Sequence, residues 1–96
     1  MVYYSMKEYK LDGFEKSKRK DKMYNALLRQ RRTNKIIKVP FGHNKMQNFH
    51  DKTGLNAYPK LIHGDPVRRR LYKARHKSYL KVGFYSPSYF SFYYLW

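Results

Sequence analysis

Four histidines, His43, His50, His63 and His76, fall within about a third of the chain, with Asp51 and Asp65 among them. Imidazoles and carboxylates are the side chains that metal-assisted hydrolysis uses. Their spacings match no standard ligand pattern, the chain has no cysteine, and no nearby glutamate completes a site. His43-Asn44 echoes the dipeptide of HNH nucleases without the partner elements. A His/Asp metal-dependent nuclease is therefore a distant expectation, behind histidines that cap loops or contact phosphate. His63-Gly64-Asp65 is placed to pin the start of a helix by side-chain hydrogen bonding. Nucleophilic triads do not emerge, because Ser86, Ser88 and Ser91 have no neighbouring histidine. Nor does any G-x-x-x-x-G-K or G-x-G-x-x-G phosphate loop occur. The reading is non-enzymatic: no catalytic residue, metal or cofactor is expected.

The second kind of chemistry is electrostatic. Twenty-two Lys and Arg face six Asp and Glu in 96 residues, a net charge of +16. Such a chain repels itself and attracts polyanions, whether nucleic acid, an anionic membrane surface or an acidic protein face. Beyond Asp65 there is no acid at all, and Arg68, Arg69, Arg70, Lys73, Arg75 and Lys77 stand as the candidate polyanion-binding residues. Aromatic rings, 19% of the chain, are interleaved with these bases. That pairing suits nucleic acid, with cations on phosphates and rings on bases. No RNP-type or zinc-finger signature sharpens it.

These residues need elements to position them. Length allows one domain. Leu, Ile, Val and Phe make up only about a fifth of the chain, near the level at which a charged chain stays disordered. Zero cysteines exclude a disulfide framework. There is no apolar run of about 18 residues for a transmembrane helix and no secretory h-region.

Residues 1–8 show no clear period and read as an N-terminal arm. Residues 9–41 read as a small three-stranded antiparallel sheet. Tyr9 to Phe14 alternates apolar and polar up to Gly13. In Met23 to Arg29, Ala26, Leu27 and Leu28 are good helix formers, yet Tyr24, Ala26 and Leu28 share one strand face. A turn at Gln30 to Asn34, with Asn34 suited to positive φ, and the β-branched run Lys35 to Phe41 favour a hairpin. Pro40 then belongs to an edge or a strand end. Residues 42–65 read as a loop, long enough to be functional or pinned by a partner.

Asp65-Pro66 is the strongest local signal, an N-cap followed by proline at the first helical position. It predicts a helix over 66–79, with Val67, Leu71, Ala74 and Ser78 as an inward stripe and the bases largely on the remaining surface. Residues 82–96 carry eight rings, Phe84, Tyr85, Tyr89, Phe90, Phe92, Tyr93, Tyr94 and Trp96, and no charge, with Ser86-Pro87-Ser88 as a turn. Left uncovered, such a segment would aggregate or bind. Two fates stay open: folding back over the sheet as the missing core, or docking on a partner as interface aromatics. The fold class is α+β.

One ordered pattern is familiar: Phe41-Gly42, then His63 and Asp65, Arg68 to Arg70, Tyr72, Arg75-His76 and Leu95-Trp96. With the preceding YKLDGFEKSKRKDKMYNALL, it resembles a family of small basic proteins of giant nucleocytoplasmic large DNA viruses over nearly the whole chain. Ser88 stands where that pattern has glycine. The resemblance carries no activity with it. It implies a large double-stranded DNA virus and two roles. The first, and the leading reading, is a non-enzymatic structural component of the virion, a minor capsid or internal protein, held to other virion proteins by aromatic and electrostatic contacts. The second is a nucleic-acid-binding protein of the genome core or the infected cell. Virion, and host cytoplasm or nucleus during assembly, are the implied locations.

Overall fold

The runs that alternate in sequence pair in space. In the computed structural model, which describes residues 2–96, β2 (Tyr9–Lys16), β3 (Lys22–Gln30) and β4 (Ile36–His43) form an antiparallel sheet in the order β2-β3-β4. Tyr24, Ala26 and Leu28 of β3 are fully buried, with Val39 and Phe41 of β4 beside them. The register sets Tyr24 opposite Phe41 and Ala26 opposite Val39. Pro40 lies on an edge strand, where its missing N–H breaks no inner ladder. Asn34 has φ 61° in the β3–β4 turn, the left-handed conformation that Asn tolerates.

The second half of β2 departs from simple alternation. A bulge between Leu11 and Gly13 leaves Asp12 unpaired, so that Leu11 opposes Leu28 and Phe14 opposes Ala26. The extra residue changes the parity and puts Phe14 on the same face as Tyr9 and Leu11. Phe14 there meets Phe41, Phe90 and Tyr94 at ring-centroid distances of 5.7, 6.0 and 4.7 Å. Asp12 bonds Arg29 on the outer side.

The aromatic segment folds back as core. Ser86-Pro87 begins a helix in place of the expected turn: the Ser86 hydroxyl accepts from the Tyr89 N–H at 3.1 Å, α2 spans Pro87–Phe90, and a π-helical turn follows over Ser91–Leu95. Phe90 and Leu95 are fully buried, and Phe92 and Trp96 nearly so. These rings, interface candidates on sequence grounds, are largely absorbed by the chain's own sheet; Tyr93 is the one most exposed, at 46%.

Within the N-terminal arm, β1 (Tyr4–Ser5) pairs antiparallel with β5 (Phe84–Tyr85), a strand too short to leave a periodic signal. Met1, also assigned to the arm, lies outside the described residues. The long central segment is pinned by the tail. The N–H groups of Phe49 and His50 donate to the Leu95 carbonyl at 3.0 and 3.1 Å, and that of Lys52 to the Tyr94 carbonyl at 2.9 Å. Asn48 bridges Ile62 to hold the segment to itself. Gly42, with φ +73°, is needed here: a Cβ would sit 3.0 Å from both Leu95 Cδ1 and Met23 Sδ.

Candidate nucleic-acid interface

Asp65 starts α1 (Pro66–His76) as the sequence predicts. Its carboxylate accepts from the Val67 N–H at 2.9 Å and the Arg68 N–H at 3.3 Å, with Pro66 at the first helical position. His63 Nδ1 accepts from the Asp65 N–H at 2.9 Å, locking the turn before it. The chain then runs through a 3₁₀ turn over Lys77–Tyr79.

The helix is rotated relative to the expected stripe. Val67 and Leu71 are exposed, at 53% and 56%, and Ala74 and Ser78 are exposed too. The face turned to the body is Arg69, Tyr72, Lys73 and His76, residues at the i, i+3, i+4, i+7 spacing of one helix face. The Arg69 guanidinium lies 4.7 Å from the Phe49 ring centre, and the Lys73 ammonium 4.7 Å from Phe92 and 6.0 Å from Tyr93. Tyr72 is stacked between Trp96 (4.1 Å, 3° between planes) and His76 (4.1 Å, 21°). A body that offers ring faces is better matched by cations and rings than by aliphatic side chains. Burial, with Arg69 and Lys52 nearby, lowers the Lys73 pKa.

This rotation divides the six candidate bases. Arg69 and Lys73 are committed to the body, with the Arg69 Nε buried and unbonded. Arg68, Arg70, Arg75 and Lys77 are exposed. The ion pairs among the described residues, Arg19–Asp21, Arg29–Asp12 and Lys38–Glu15, all belong to the sheet and its first hairpin, and none involves α1. Arg68 instead donates to the Gln47 side-chain oxygen at 2.7 Å.

Below these bases α1 forms one wall of a cleft of about 850 Å³. Arg68, Leu71, Tyr72, Ala74, Arg75 and His76 line it from the helix; Lys22 and residues 41–43 and 46–48 line it from the sheet end and central segment. Pro87, Ser88, Ser91 and Trp96 close it from the tail. Among the described residues, three obligate cations line it and no acid does. Sequence reasoning missed the contributions of Lys22, Met46 and Gln47, which only the folding of the central segment against α1 brings near the helix.

The histidines are dispersed by role. His43 Nδ1 accepts from the Lys45 N–H at 3.1 Å at the end of β4. His63 packs against Trp96 at 5.1 Å and Phe49 at 6.2 Å, and His50 against Phe49 at 5.0 Å. Burial is the main cause lowering the pKa of His50, His63 and His76, with neighbouring Arg and Lys adding to it. Asp51 is occupied by Tyr24 and Thr53, and Asp65 by the helix cap. Among the described residues no group of three or more His, Asp or Glu is arranged to hold a metal ion. Among the described residues no helix is long and apolar enough to cross a membrane. No protein-family model, curated protein or solved structure matches this chain.

Proposed function

We propose that this chain is a non-enzymatic nucleic-acid-binding protein that holds phosphates on the exposed bases of α1 and the cleft beside them. The observation that carries this reading is the sorting of charge. Both acids that β2 presents, Asp12 and Glu15, are matched to bases of the sheet, Arg29 and Lys38, whereas Arg68, Arg70 and Arg75 of α1 and Lys77 just after it are exposed with no ion-paired acid among the described residues. Concentrated, uncompensated cations on a rigid element favour a polyanion, and counterion release supplies the affinity.

The resemblance to large-DNA-virus proteins gives the activity a setting: the genome-containing interior of a particle, or the infected cell. A structural place in the shell rests on rings free to dock. With Phe90, Phe92 and Trp96 buried in this chain, that reading keeps the resemblance and the charge in its support. Purified particles separate the two, because a genome-associated protein follows the DNA-containing core and a shell protein stays with empty capsids.

The direct test is binding as a function of salt. Replacing Arg68, Arg70, Arg75 and Lys77 by Gln should weaken binding evenly across sequences and reduce the log–log salt slope by roughly one for each phosphate no longer held. The Arg29→Gln, Lys38→Gln control removes the same kind of charge from the sheet and should move the slope less. Unchanged affinity and slope in the helix variant would overturn the reading.

A further inference from the structure

Leu71 and Met46 are large, apolar and more than half exposed, at 56% and 62%. Both line the cleft, whose charged residues are Arg68, Arg75 and Lys22. Phosphate binding alone has no use for such walls, since a phosphate is best held by cations and N–H donors in contact with water. A ligand that is anionic at its edge and flat and apolar in its body uses both. We propose that the cleft holds one splayed-out base of a single-stranded nucleic acid, with the flanking phosphates on Arg68, Arg75 and Lys22.

Several observations point the same way. The cleft's volume of about 850 Å³ falls within the roughly 300–1,000 Å³ of clefts that enclose small ligands. Its charged side chains, Lys22, Arg68 and Arg75, are of one sign, complementary to a sugar-phosphate strand. Arg68 is held by its 2.7 Å hydrogen bond to Gln47, so one phosphate-binding group is positioned before the strand arrives. A base in a duplex is stacked and paired, and extracting it costs a few kcal/mol; a single strand offers its bases freely. Both faces of the Tyr72 ring are covered by Trp96 and His76. The Tyr72 faces are thus closed to the base, which packs on Leu71 and Met46 with the exposed His43 ring beside them, and the pocket discriminates little among the four bases.

This inference rests on the reading that the α1 surface holds phosphate, and one experiment separates the two. Full-length protein is titrated, at fixed low salt, against a labelled 12-nucleotide single strand, an abasic strand of equal length, the matching duplex, and thymidine monophosphate. The base-bearing strand should bind at least about five-fold more tightly than the abasic strand, with the same salt slope and ahead of the duplex. The Leu71→Ala, Met46→Ala variant should bring that ratio close to one and leave abasic binding unchanged. Ala74→Trp, made from the helix side to fill the cleft, should do the same. Equal binding of base-bearing and abasic strands overturns the base pocket and leaves the phosphate reading standing. So does a ratio that survives both variants. A mononucleotide as tight as the 12-mer overturns a strand as occupant, and anionic vesicles that lose binding in the double variant while the strand ratio is one reassign the cleft to lipid. Failure of both strands to bind overturns the phosphate reading as well.

Discussion

The Tyr24 hydroxyl sits where the sheet meets the central segment, donating to Asp51 Oδ2 at 2.5 Å and accepting from the Ala57 N–H at 3.0 Å. Asp51 Oδ1 in turn accepts from the Thr53 N–H at 2.8 Å and from its hydroxyl. One buried phenol thus anchors residues 51–57 to β3. Burial, reinforced by the carboxylate it bonds, pushes its pKa up to about 12. A raised folded-state pKa favours the protonated phenol, so its contribution is complete below the ordinary tyrosine value near 10 and is lost as pH rises through about 12. A shift of that size corresponds to something on the order of 2 to 3 kcal/mol. The chain should lose stability between pH 10 and 12. Tyr24→Phe should start lower at neutral pH, by about 1–3 kcal/mol for the unsatisfied Asp51 and Ala57 groups, and should lose less over that alkaline range. Urea melts of both proteins across pH 8 to 12 give the comparison; parallel curves would mean that Tyr24 titrates as it does in the unfolded chain. Other tyrosines raised by burial, Tyr72, Tyr89 and Tyr94, contribute to both curves and cancel in the difference.

Helix α1 has no fully buried side chain and is held to the body mainly through Arg69 on Phe49, Tyr72 on Trp96 and Lys73 on Phe92. His63 and His76 flank the Tyr72–Trp96 stack, and His50 packs nearby against Phe49. All three imidazoles are held below their usual pKa, so docking favours their neutral forms. That stabilisation is intact above about pH 6.5, the unfolded value, and is lost as pH falls from there through the lower folded-state values. Between pH 7 and 5, amide exchange in 66–76, corrected for intrinsic rate, should therefore accelerate while Lys22–Gln30 stays protected. Equal protection of helix and sheet at both pH values would show that these imidazoles do not govern docking. Among the elements, the sequence is readable wherever a local rule acts alone. Alternation marks the strands, Asn34 its turn, and Asp65-Pro66 the start of α1. The bulge at Asp12 is hidden because one inserted residue resets the period, so the alternation stops at Gly13 in sequence while β2 runs on to Lys16. The face of α1 is misread for a different reason. An aliphatic stripe is expected to go inward, but the partner surface is made of rings, whose identity depends on residues 49 and 92–96. Ser86-Pro87 repeats the chemistry of Asp65-Pro66, and the dense aromatic run after it conceals the cap. The bases of the candidate site are legible as a set; their division between body and surface is not.

For the whole molecule, a net charge of +16 works against compaction, since like charges are brought closer together on folding. Salt screens this repulsion over about 10 Å at 0.1 M, so the melting temperature of the free protein should climb with added NaCl. A short single strand should raise it by binding the folded state, and salt should erase that second gain, because it weakens the complex. The two salt responses thus have opposite signs, measurable in one thermal series; a strand that leaves the melt unmoved at low salt would remove nucleic acid as a partner. The strap formed by residues 49–52, in which the N–H groups of Phe49, His50 and Lys52 close on the carbonyls of Tyr94 and Leu95, has a further consequence, in the order of folding events. The β2–β3–β4 hairpins join neighbours in sequence and close small loops, so they are able to form early. Joining the strap to the tail closes a loop of about 45 residues, and joining β1 to β5 closes one of about 80, at an entropic cost that is repaid only after the sheet gives the tail a surface. Tail contacts then form on the native side of the barrier. Leu95→Ala, a loss of about 2–5 kcal/mol at a fully buried site, should appear almost entirely as faster unfolding, with refolding of the sheet scarcely slowed.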